Sequence, residues 1–298
     1  MNFSNRMTLF KTPLRFAGFL FSALLPAIGQ LAAAEPINIV FQNGRSVPLN
    51  AVALQGDKLT IIAAAPGFNV GQAFPFASAD HIYGTKPPEI NQAVALILTD
   101  KPADALKLVE PIVAEQRITA KIPGNFWLEA ARASLIAYAL TGNNAKCVEI
   151  GKAVSDATPA QGIDPFVSLG KAIMLPETTP VSDRALAFSD LTTDNLASDI
   201  CAYASFFRAR LLKSAKRNSD AAQASKQDAE VLEAFLTAPC AYPAGCMIVN
   251  AASEIQASSY LVTLGRREEA VALLNSAIRQ AAGTVLIPDA NKRLESIK

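Results

Sequence analysis

Residues 125–157 read NFWLEAARASLIAYALTGNNAKCVEIGKAVSDA, and this stretch decides the fold. Asn125 to Leu140 repeats small and apolar residues at helical spacing and contains neither proline nor glycine. Thr141-Gly142-Asn143-Asn144 is a stop, and Ala145 to Ala157 resumes the same period. A helix, a tight turn and a second helix of similar length predict an antiparallel pair that buries its apolar stripes against neighbours.

Outward from this pair, the same period governs everything after Pro88. Helices are expected at Glu89–Leu98, Ala103–Gln116, Pro165–Met174, Ser182–Leu191, Leu196–Lys213, Asp220–Leu236, Met247–Leu264 and Arg267–Ala281, with a short tail near Asp289–Ser296. Pro102 suits the first turn of the helix it opens, where its missing amide hydrogen costs nothing. Before Lys86-Pro87-Pro88 the pattern differs. Ile37–Phe41, Val47–Leu54, Leu59–Ile62, Val70–Phe76 and His81–Tyr83 are short β-branched or aromatic runs separated by turn residues, Asn43-Gly44 among them. Five short strands in some fifty residues predict a small β barrel or curled sheet over residues 35–86, docked on the helical domain of residues 87–298.

Residues 1–34 have the layout of a secretory signal peptide. Arg6, Lys11 and Arg15 precede the apolar run Phe16–Leu25, and Ala32 and Ala34 supply small residues for cleavage after Ala34. The rival is an uncleaved anchor, diluted by Pro26, Gly29 and Gln30. The expectation is a periplasmic or secreted bacterial protein with no stable membrane span once the leader is removed. Four cysteines fit an oxidising compartment. Cys240 and Cys246 flank a Pro/Gly loop and are expected to form a disulfide, with Cys147 and Cys201 as small core residues or a second pair.

Composition excludes several classes of function. The 298 residues carry 27 basic and 26 acidic side chains, and loss of the leader leaves a net charge of about −2, with no basic surface suited to nucleic acid. One histidine, His81, rules out multi-histidine metal sites, and it stands in a strand without a nucleophile motif. No GxGxxG or GxxxxGK occurs, so no cofactor is expected, and no catalytic or metal-binding residue is assigned. Arg208, Arg210, Lys213, Lys216 and Arg217 form the densest basic cluster, read either as charge neutralising a helix C-terminus or as a site for an anionic lipid or acidic partner. Trp127 and Tyr138 are candidate partner-contact aromatics if exposed and packing residues if buried. Phe68, Phe74 and Phe76 are expected to dock the β module on the first helices.

Three turns superimpose: Thr99-Asp100-Lys101-Pro102, Thr141-Gly142-Asn143 and Leu264-Gly265-Arg266. Five residues past Asp100 and Gly265 stand Ala105 and Ala270, Tyr138 lies four before Gly142, and Pro159 follows seventeen after it. These offsets resemble the tetratricopeptide repeat (TPR), with its aromatic on the first helix, small residue at the turn, alanine on the second helix and proline at the exit. The family's tryptophan and leucine-glycine pair are missing, and Cys147 replaces the alanine of the middle pair. The whole is similar to exported bacterial proteins in which a small β module precedes such repeats. The resemblance implies an antiparallel helix-pair solenoid whose groove binds a protein or peptide, here an unidentified envelope component, without catalysis. A helical carbohydrate-active or peptidoglycan-acting hydrolase, with a carboxylate pair that no motif reveals, is the alternative.

Overall fold

The structure is a computed structural model that describes residues 35–158, 162–215 and 221–297. Residues 1–34, where the signal peptide is expected, and Pro159, Lys216 and Arg217 lie outside the described residues. Glu35–Lys298 forms one compact unit, mainly helical, with a small antiparallel β module at its start.

The β module contains β1 (Asn38–Phe41), β2 (Ser46–Pro48), β3 (Val52–Gln55), β4 (Lys58–Ile61), β5 (Ala73–Pro75) and β6 (Ala79–Tyr83). The expected barrel or curled sheet does not form. There are two separate three-stranded sheets, ordered β2-β1-β6 and β3-β4-β5, and neither closes on itself. The chain leaves the first sheet just after Pro48, where the Leu49 amide makes a last bond to the Ile37 carbonyl at 2.9 Å. The run Val47–Leu54 breaks there into a 3-10 turn, Leu49–Ala51, which carries the chain from one sheet to the other. Both sheets turn their alternate apolar residues onto one shared core, with Ile39, Val47, Leu59 and Ile61 fully enclosed. Phe41, Phe68 and Phe74 cluster there with ring centroids 4.7–5.9 Å apart. Docking onto the helices runs instead through residues 117–126, whose Ile118, Ile122 and Phe126 complete the β core. The Ile82 amide donates to the Pro123 carbonyl at 2.9 Å across the same junction.

The helices are α1 (Pro88–Leu98), α2 (Pro102–Glu115), α3 (Trp127–Leu140), α4 (Asn144–Ala157), α5 (Pro165–Ile173), α6 (Val181–Ser189), α7 (Ser198–Ala215), α8 (Ala221–Ala241), α9 (Met247–Thr263), α10 (Arg267–Gln280) and α11 (Leu286–Ile297). Three of the turns between paired helices share one backbone device. Asp100, Gly142 and Gly265 adopt φ of 62°, 71° and 75°. One residue on, the amides of Lys101, Asn143 and Arg266 donate back to the carbonyls of Leu96, Tyr138 and Leu261 at 2.8–2.9 Å. This left-handed cap satisfies the last carbonyls of α1, α3 and α9 and reverses the chain in the same way three times. Ala105, Cys147 and Ala270, five residues past each cap, are all buried, so the middle cysteine fills a place that requires only a small side chain.

Packing follows a regular scheme. Each odd-numbered helix packs against the even-numbered helix that follows it and against the next odd-numbered helix, and each even-numbered helix packs against the odd-numbered helix after it. Neighbour-on-neighbour stacking of this kind is solenoid-like. The stack also closes: α9 packs against α1, and the Val285 amide donates to the Gln92 side chain at 3.2 Å. Helices α1, α3, α5, α7 and α9 thus form a ring. Four of them (α1, α3, α7 and α9) are buried on nearly every face, whereas α2, α4 and α10 bury only one stripe. The ring helices enclose side chains such as Leu135, Ile136, Phe206 and Ile255, each contributing about 1.5–3 kcal/mol by burial.

The expected Cys240–Cys246 disulfide is also corrected, since all four thiols are free. Helix α8 runs through Pro239 to Ala241, so Cys240 is held on a helix rather than in a pliant loop. Cys246 caps the start of α9 and lies beside Tyr203. Cys147 donates to the Leu135 carbonyl at 3.7 Å and Cys201 to the Thr193 carbonyl at 3.8 Å, each in its own part of the core.

Candidate functional site

The ring of inner helices has a cleft at each of its two ends. The first turns of the inner helices surround one mouth, a cleft of about 380 Å³ lined by Lys86, Ile90, Asn91 and Val94, Glu129 and Arg132 of α3, Phe166 of α5, Asp199 and Tyr203 of α7, and Cys246, Met247 and Ile248 of α9. Helix N-termini carry partial positive charge, which Glu129 and Asp199 complement in the first turns of α3 and α7. Gly245 lets the α8–α9 turn reach the start of α7, because a Cβ there would meet the Ser198 carbonyl oxygen at 2.7 Å.

The cleft is braced by one buried ion pair. Asp164, completely enclosed, caps α5 by accepting from the Phe166 amide at 3.0 Å and receives an Arg132 N–H at 2.5 Å. The Arg132 guanidinium lies 4.7 Å from the centre of the Phe166 ring, and Tyr203 meets that ring edge-on at 5.4 Å. Lys86 donates to Glu129 at the rim. Asp199 reaches solvent, yet its carboxyl holds its proton more tightly than usual. The protein packed around it is the larger cause and the charge on Glu129 the second, while Arg132 and Lys86 act in the opposite direction. Burial pushes up the Cys246 thiol and, above all, the Tyr203 hydroxyl. The arrangement offers two interacting carboxylates, two cations, and an apolar floor ending in the exposed Met247.

The residues singled out from sequence lie elsewhere. Trp127 is 1% exposed and donates from its indole nitrogen to the Val113 carbonyl at 3.0 Å, so it locks α3 to α2. Tyr138 is buried and donates to Glu110; burial first, then Glu110, raises its hydroxyl pKa far above the usual value. His81 is surface-exposed and paired with Asp80 at 2.8 Å. Phe76 borders a separate cleft between the β module and α4. Of the basic cluster, Arg210 and Lys213 line the opposite mouth of the ring. The cleft residues come from five separated segments, so no spacing in the chain marks them.

Among the described residues no group of His, Cys, Asp and Glu is arranged to hold a metal ion, and no helix is long and apolar enough to cross a membrane. Set against protein-family models, curated proteins and solved structures, the chain matches none of them.

Proposed function

We propose that this protein is an exported, non-enzymatic adaptor of the bacterial cell envelope, built on TPR-like helix pairs, and that it seats a protein or peptide segment in the cleft at the N-terminal mouth of the inner helices. The observation that carries the reading is the thrice-repeated left-handed cap with a buried small residue five positions on, within a stack where each helix packs on its neighbours. The mixed lining supports a peptide-like occupant. Phe166, Ile90 and Met247 offer apolar contact, and Lys86, Arg132, Glu129 and Asp199 offer both signs of charge. The leader-like residues 1–34 support export.

The test places a photo-crosslinking residue at Met247, in the cleft, and in a second protein at Val148, which is 74% exposed on the outer face of α4. With the protein at native abundance in its own cells, the reading expects one reproducible adduct from Met247 and none from Val148. Equal labelling from both positions, or none from either, contradicts it.

The paired carboxylates motivate a second reading, a hydrolase acting on envelope glycans. A carboxyl with raised proton affinity in the same cleft as a second carboxyl is the arrangement general acid catalysis uses. Turnover of peptidoglycan fragments that is lost in both Asp199→Asn and Glu129→Gln favours this reading over the adaptor.

A further inference from the structure

The opposite mouth of the ring, where the inner helices end, has a different chemistry. A cleft of about 440 Å³ opens there, within the roughly 300–1,000 Å³ range of small-molecule sites. Its floor is aromatic, built from Phe188, Phe206, Phe207 and Phe235. Its wall carries three cations, Arg184, Arg210 and Lys213, against a single carboxylate, Asp100. Asp100 is already engaged by Arg210.

Neutralising the helix C-termini accounts for cations at this end, but not for how they are held. Arg184 Nε and Arg210 Nη1 are buried and have no hydrogen-bond partner among the described residues. Withdrawn from water without an acceptor, these N–H groups leave their guanidinium charges poorly compensated by the protein. The Arg210 guanidinium also lies 5.5 Å and 5.9 Å from the centres of the Phe207 and Phe206 rings, which joins the cationic wall to the aromatic floor. Lys213 donates to Gln256 at 2.8 Å, and its ammonium is pushed below its usual pKa, by burial first and by the neighbouring charges of Arg293 and Arg210 next. Asp100 and Asp289 act in the opposite direction and are outweighed, so the local field is positive.

We propose that this cleft binds a small amphiphilic anion, with a carboxylate or phosphate head between Arg184, Arg210 and Lys213 and an apolar body on the phenylalanine floor. The head pairs with the guanidinium and ammonium groups that line the cleft, and the body lies along its apolar side chains. The site is distinct from the cleft assigned to a protein partner.

Isothermal titration of the mature protein with octanoate, octanol and inorganic phosphate tests the assignment. Octanoate is expected to bind at one site per chain, with octanol and phosphate each at least about tenfold weaker, since each lacks one half of the recognition. Arg184→Gln and Lys213→Gln, whose melting curves report whether the fold is kept, should each weaken octanoate by about tenfold. Absence of octanoate binding at millimolar concentration overturns the proposal and leaves the cations as neutralisers of helix ends. So does octanol binding as tightly as octanoate, or octanoate affinity unchanged in both variants. Adsorption to phosphatidylglycerol vesicles without binding of dissolved octanoate overturns it in favour of a membrane-surface role.

Discussion

The same inner helices make both mouths of the ring, yet the two ends are held by different means. At the N-terminal mouth the brace is a side-chain ion pair, Arg132–Asp164, in which the carboxylate is wholly enclosed and also caps α5. At the C-terminal mouth the corresponding pair, Arg210–Asp100, has its carboxylate mostly in water, and the structure there relies on left-handed backbone caps. A helix start leaves N–H groups that a side chain can satisfy, whereas a helix end leaves carbonyls that the reversing chain satisfies itself. Charge is structural where its partner is enclosed and only loosely tied where its partner stands in water.

Breaking each brace in turn exposes the difference. Asp164→Ala strands the Arg132 guanidinium and uncaps α5, and urea unfolding should show a loss of about 3–5 kcal/mol. Gly142→Ala and Gly265→Ala force a side chain into the left-handed region at the opposite end, and each should cost about 1–2 kcal/mol. Asp100→Asn, which removes only the exposed partner of Arg210, should cost less than about 1 kcal/mol. A loss at Asp100 equal to that at Asp164 would erase the distinction between the two mouths.

The smallest expected effect is a pH dependence at the N-terminal mouth. Asp199 has a folded-state pKa above its unfolded value, so the folded protein binds the proton more tightly. Stability from this group is therefore highest below the unfolded carboxylate pKa of about 3.9 and falls as pH rises from there through the folded pKa. Asp199→Asn removes that fall. Melting temperatures of wild type and variant should converge near pH 3 and separate towards neutrality, with the variant the more stable.

How much of this was legible in the sequence depends on the range of the interaction. The caps at Asp100, Gly142 and Gly265 depend on local backbone chemistry, and aligning the three turns located them. Cys147 could be assigned to a small-residue position by offset alone, and it is buried there. The run Val47–Leu54 has the composition of one continuous strand, yet the chain changes sheets within it, in the turn Leu49–Ala51. Pro239 was read as beyond the end of its helix, but α8 accommodates it in its last turn, which moved Cys240 out of the expected loop. Trp127 and Tyr138 are candidate contact aromatics by composition, yet Trp127 bonds within the core and Tyr138, itself buried, reaches out to the exposed Glu110. Closure of α9 on α1 joins residues more than 140 positions apart. No local period encodes such a contact, and the cleft residues it assembles were invisible for the same reason.

Closure of α9 on α1 is what makes the inner helices a ring. In an open stack the first helix pair has a neighbour on one side only and frays before the rest. In a closed ring α1 is as enclosed as α3. Native-state hydrogen exchange of the amides of residues 94–98 against those of residues 134–139 compares the two helices directly. The closed ring predicts that α1 exchanges with the slowest class, together with α3 and α9. Exchange of α1 and α2 as a separate, faster unit would contradict it.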